Sequence, residues 1–145
     1  MEVIFPATDE ALADVNSFVE TRLEEAGCSP KNQMKIMIAL EELFVNVAHY
    51  AYSGADAQSG HDGQNVQDGK VAIDLDFEGG DMILSLKDSG RPFNPLKKAD
   101  PDVTLSAEER NIGGLGIFMV KKSMDDVSYR YEEGCNIITI RHQIN

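Results

Sequence analysis

Basic residues are scarce in this chain. Thirteen lysines and arginines stand against 25 aspartates and glutamates, for a formal net charge of -12 over 145 residues. Nucleic acids and anionic membranes are bound through a basic footprint, so general binding to either is excluded. The surplus negative charge favours solubility and a basic protein partner. Cysteine is equally sparse, with Cys28 and Cys135 alone. No C-x-x-C pair occurs, which removes the usual zinc and redox motifs. Two reduced thiols in a cytosolic protein are expected. No apolar run approaches the roughly 18 residues of a membrane-spanning helix. Met1-Glu2-Val3-Ile4-Phe5-Pro6 lacks the basic start and long apolar stretch of a secretion signal. The expected location is the cytoplasm.

What is present is ordinary for a soluble globular protein: 42% hydrophobic and 26% charged residues. The length suits one domain, spanning 1–145, with its own core. Residues 2–5 read as a short strand closed by Pro6. Thr8-Asp9-Glu10 opens a helix, with its acids where a helix N-terminus favours them. Leu12, Val15, Val19 and Leu23 recur at helical spacing, and Gly27 ends the segment. Ser29-Pro30 opens a second helix, a capping serine before proline at the first helical position. That helix runs to about Tyr52 and is apolar on several sides, which places it in the core.

Residues 53–69 are rich in Gly, Asp, Gln and Ser and form a long loop. Residues 70–78 and 81–87 alternate apolar with polar around Gly79-Gly80, so they form a hairpin. A loop and a polar segment lead to Gly113-Gly114-Leu115-Gly116, which opens a helix through about Met124. Two last strands turn at Glu133-Gly134. This order predicts an α/β two-layer sandwich, a mixed, mostly antiparallel sheet with helices on one face.

Three constellations carry chemistry. Glu42 and Asn46 are four residues apart on the second helix, so they share a face. An amide oxygen there can ligate magnesium, and a carboxylate one turn away can orient or deprotonate a hydroxyl; an exposed acid beside a satisfied core amide fits the spacing equally. Asp88-Ser89-Gly90-Arg91-Pro92-Phe93 follows an apolar strand. Its aspartate can accept from an exocyclic amine and its glycine lets backbone approach a flat ring; a plain turn has the same composition. Gly113-Gly114-Leu115-Gly116 bares N–H groups at a helix N-terminus, a phosphate-binding arrangement, or else a hinge. It is neither a P-loop nor a dinucleotide turn.

Taken in order, these motifs resemble the GHKL ATPase superfamily and its Bergerat fold. Glu42-x-x-x-Asn46 is similar to the N box, Asp88 through Phe93 to the D-x-G-x-x-F box, and Gly114-Leu115-Gly116 to the glycine box that follows the ATP lid, here at about 94–113. The runs EELFVNVAHYAY and GGLGIFMVKKSMDDVSYRY resemble the anti-sigma-factor serine kinases more narrowly. The 53–69 loop is longer than that pattern.

The resemblance implies ATP and Mg²⁺ as cofactors. Asn46 would ligate the metal. Asp88, Gly90 and Phe93 would hold adenine, with Thr139 beside the aspartate. Gly113, Gly114, Leu115 and Gly116 would cradle phosphates, Arg110 would reach the γ-phosphate, and Glu42 would serve as general base. The implied partners are a sigma factor and a STAS-domain antagonist phosphorylated on serine or threonine, with the kinase a homodimer. A binding module that grips its partner without phosphorylating it is the alternative.

Overall fold

The computed structural model describes residues 1–51, 69–92, 94–97 and 112–145. β1 (Glu2–Pro6) is followed by a 3-10 turn at Asp9–Ala11, α1 (Leu12–Glu25) and α2 (Pro30–Asn46), which continues as a π turn at Val47–Ala51. Then come β2 (Lys70–Glu78), β3 (Asp81–Asp88), a 3-10 turn at Pro95–Lys97, α3 (Ile112–Ser123), β4 (Asp126–Glu132) and β5 (Cys135–Gln143). The expected 53–69 loop lies outside the described residues except for Gly69. So does the lid, apart from 94–97 and 112–113.

The sheet runs β1-β2-β3-β5-β4. All four pairings are antiparallel, so the parallel component of a mixed sheet is not found among the described residues. Side chains alternate between the two faces of a strand. Val71, Ile73 and Leu75 on β2, Met82, Leu84 and Leu86 on β3, and Ile138 and Ile140 on β5 are all buried. Their neighbours Ala72, Asp74, Ser85 and Thr139 are half-buried, because the helices cover one face only.

Val15, Val19 and Leu23 of α1, Ile36, Leu40, Leu43 and Phe44 of α2, and Ile117 and Val120 of α3 complete a single core. α2 lies between the other two helices and packs on both. Each fully buried Leu, Ile or Phe contributes about 1.5–3 kcal/mol of hydrophobic stabilisation. Among the described residues no helix is long and apolar enough to cross a membrane.

The anchoring of α2 determines where its functional end arrives. Ser29 caps it, its Oγ accepting from Asn32 N–H at 3.3 Å, and Pro30 occupies the first turn. The backbone N–H of Ser29 donates to Ile144 O at 2.7 Å, beyond the end of β5. The buried His142 ring adds a second tie. Asp125 N–H donates to Nδ1 at 3.2 Å, so Nε2 carries the hydrogen and donates to Asn32 Oδ1 at 3.2 Å. With its N-terminus fixed beside the end of β5, α2 runs back along the sheet toward the start of that strand. Seventeen helical residues span about 25 Å and nine strand residues about 30 Å, so the two elements match in length.

Both described hairpin turns have positive φ at both central positions. The values are 59° and 87° at Gly79-Gly80, and 54° and 78° at Glu133-Gly134. This is the turn geometry that matches strand twist. Glu133 is the one non-glycine residue with positive φ among the described residues.

Candidate functional site

Asn46 ends α2 and is 8% exposed. Its Nδ2 donates to the backbone carbonyl of Glu42 at 2.9 Å. That bond commits the nitrogen and leaves Oδ1, which no donor meets among the described residues. An amide oxygen left without a protein donor can ligate a hard cation. The carboxylate of Glu42 is half-buried, with no hydrogen-bond partner among the described residues. The helix passes into its π turn directly after Asn46, a geometry that recurs at functional sites. His49, on this turn, meets Asp9 at 2.8 Å and ties it to the start of α1.

Asp88 is the last residue of β3 and is 5% exposed. Being two residues on from Leu86, it faces the helices. Its Oδ1 accepts from Gly90 N–H at 3.0 Å and from Asn136 Nδ2 at 2.9 Å. Asn136 Nδ2 also donates to Arg91 O at 2.8 Å, and the Tyr129 hydroxyl donates to Asn136 Oδ1. The second oxygen of Asp88 has no donor among the described residues. Burial pushes the Asp88 carboxyl above the usual carboxylate range, against the opposing effect of the bonds from Asn136 and Gly90.

Asn46 and Asp88 line one recess with Tyr129 and Asn136, between apolar walls of Leu43, Val47, Pro95 and Ile138. An apolar slot with one available carboxylate oxygen suits a flat ring that bears an amine.

α3 starts at Ile112, one residue earlier than expected, so the glycines form its first turn and a half. The first four N–H groups of a helix have no partner within it. Those of Gly113 and Gly114 fall in that set. Leu115 and Gly116 follow them in the same opening turns. No cluster of three His, Cys, Asp or Glu residues exists among the described residues to cage a metal. The donor set fits magnesium held by one or two protein oxygens plus phosphate, which is its usual coordination.

One expected residue is misplaced. Thr139 pairs with Ser85, not with Asp88, and the two hydroxyls hydrogen-bond at 2.9 Å on the open face of the sheet. Asp88 pairs with Asn136, three residues earlier. An odd offset in a strand reverses the face, so Thr139 points away from the recess. Asn136 and Tyr129 are the residues that sequence reasoning missed. The usable signal was that Asn136, Ile138, Ile140 and His142 share the inward face of β5. Phe93 and Arg110 lie outside the described residues.

Comparison with known proteins follows the same lines. Residues 5–142 match the family described as the histidine kinase-like ATPase domain. The serine-protein kinase RsbW of Listeria monocytogenes serotype 4a is 26% identical over 121 residues, covering 81% of this chain and 70% of the relative. The RsbU and RsbW domains of a Mycobacterium tuberculosis protein share the fold with a TM-score of 0.67 at 16% identity, over 99% of this chain and 31% of that longer one. The SiaB–SiaC complex from Pseudomonas aeruginosa gives 0.57 at 15% identity, over 98% of this chain and 88% of that one. Since the match runs from the end of β1 through β5 and covers nearly the whole chain, this chain belongs to the histidine kinase-like ATPase domain family.

Proposed function

We propose that this chain is an ATP-dependent serine/threonine-protein kinase that binds a sigma factor and phosphorylates a STAS-type antagonist. The observation that carries the reading is that Asn46 and Asp88 line one recess and that each has an oxygen which no donor meets among the described residues. One suits a cation and the other an amine, as magnesium-bound adenine nucleotide requires. The 26% identity to a serine-protein kinase supports the phosphoryl-transfer chemistry. The cytoplasm and a homodimeric state belong to the same proposal.

In this reading Asp88 accepts from the adenine amine, with Gly90 and Phe93 beside the ring. Gly113 and Gly114 present N–H groups to the phosphates, Leu115 continues that turn, and Arg110 reaches the γ-phosphate. Asn46 holds Mg²⁺, which neutralises phosphate charge when bound. Glu42, one turn before Asn46, takes the proton from the substrate hydroxyl. That hydroxyl oxygen bonds to the γ-phosphorus as the bridge to the β-phosphate breaks, and ADP leaves. Phosphoryl transfer depends chiefly on positioning and charge neutralisation, so this sparse set suffices.

The test is transfer of labelled phosphate from ATP to a purified STAS-domain protein. Transfer lost in Glu42→Ala with nucleotide binding kept is the expected result. Nucleotide binding without transfer in the unaltered chain would make it a regulatory module that holds its partner. No binding at millimolar Mg-ATP would overturn the nucleotide reading itself.

A further inference from the structure

Asp88 is held by a relay that reaches the edge of the sheet. Tyr129 lies on the edge strand β4, opposite Ile138, and shares the helix-covered face with Asn136. Its hydroxyl donates to Asn136 Oδ1, and the two Nδ2 hydrogens of Asn136 go to Asp88 Oδ1 and Arg91 O. An asparagine amide has nearly the same shape when its oxygen and nitrogen exchange places, so its partners decide its orientation. Here a donor meets the oxygen and two acceptors meet the nitrogen. Turned over, the oxygen would face two acceptors. Tyr129 is thus one of the groups that fix which end of Asn136 meets Asp88.

We propose that Tyr129, acting through Asn136, is a positioning residue that fixes which oxygen of Asp88 is offered to the nucleotide base, and so sets the preference for a base carrying an exocyclic amine. This deepens the nucleotide reading and rests on it. Gly90 N–H and Asn136 both converge on Oδ1, which leaves the other oxygen of this recess-lining carboxylate to accept from a base. Without the Tyr129 hydroxyl, Asn136 loses one of its orienting bonds and Asp88 one of the constraints on its rotation. A purely structural role for the hydroxyl, holding β4 to β5, is redundant. The two strands already pair along a continuous ladder from Asp126–Arg141 to Glu132–Cys135.

The experiment compares calorimetric binding of Mg-ADP with that of its analogue lacking the 6-amino group, in the full chain and in Tyr129→Phe. The original chain should prefer ADP by about tenfold, the size expected for a hydrogen bond to a charged acceptor. Tyr129→Phe should weaken ADP toward the analogue and leave the analogue unchanged. Equal weakening of both ligands, or no change in either, overturns the proposal. Asn136→Ser is the second variant and should show the same loss of discrimination. If the original chain binds both ligands equally, the amine is not read, and this proposal falls while the phosphate site stands. If it binds neither, the nucleotide reading falls and takes this proposal with it.

Discussion

Asp88 and Asn136 face each other across β3 and β5, joined by a 2.9 Å hydrogen bond from amide nitrogen to carboxylate oxygen. The pair illustrates a conflict between folding and function. A carboxylate kept out of water is unfavourable for the folded chain, and it is the group best suited to hold an amine.

The first prediction follows from that conflict. Burial raises the Asp88 carboxyl above its ordinary value, so the folded chain binds that proton more tightly than the unfolded chain. Stability from this group is full below the unfolded value of 3.8 and is lost as pH rises through the raised folded one. Asp88→Asn keeps an oxygen for Gly90 and Asn136 and removes the charge. Its melting temperature should exceed that of the original chain by a margin that grows as pH rises from about 4 through the raised folded value. Its affinity for Mg-ADP should fall at least about a hundredfold, since a donor now faces the amine. Thermal scans across pH and calorimetry check both halves. A margin that shrinks with pH would contradict the account.

Asn46→Ala removes the free amide oxygen and leaves the apolar walls of the recess intact. ADP binding that magnesium strengthens in the original chain should become insensitive to the metal. Titrations with and without magnesium measure this directly, and a metal effect that survives in the variant would assign the ligand elsewhere.

Glu42→Gln conserves shape and removes the base. Phosphoryl transfer should fall by roughly 10²–10⁴ while the ADP dissociation constant stays within about twofold. Single-turnover transfer beside calorimetry separates the two. Equal losses in binding and transfer would point to a folding defect.

Glu133 sits at φ 54° in a turn that favours asparagine or glycine. Left-handed backbone costs an ordinary side chain about 1–2 kcal/mol. Glu133→Asn should therefore stabilise the chain by about 1 kcal/mol, read as a higher urea midpoint with an unchanged slope.

Much of this architecture was legible in local signals. Ser29-Pro30 marked the start of α2 because cap and proline act within one turn. Gly79-Gly80 and Glu133-Gly134 marked both hairpins because few residues accept positive φ. Glu42, Asn46 and Asp88 were legible as polar residues in or beside apolar runs. What failed was non-local. The resemblance puts Thr139 beside Asp88, but which residues of β3 and β5 meet depends on pairing between strands some 50 residues apart, as between Asp88 and Asn136. The apolar pattern predicts a second helix continuous to about Tyr52, whereas its α-helical part ends at Asn46 and a π turn follows.

The two ties between the beginning of α2 and the end of β5, through Ser29 and His142, turn the helix into a measuring rod. One residue inserted between Pro30 and Asn46 would advance the amide about 1.5 Å and swing it about 100° around the rod's axis, out of the recess. Substitutions on the exposed side of this rod leave that distance unchanged, whereas a change in its residue count does not. Lengthening or shortening must be confined to connections that do not gauge the distance between the anchor and the amide.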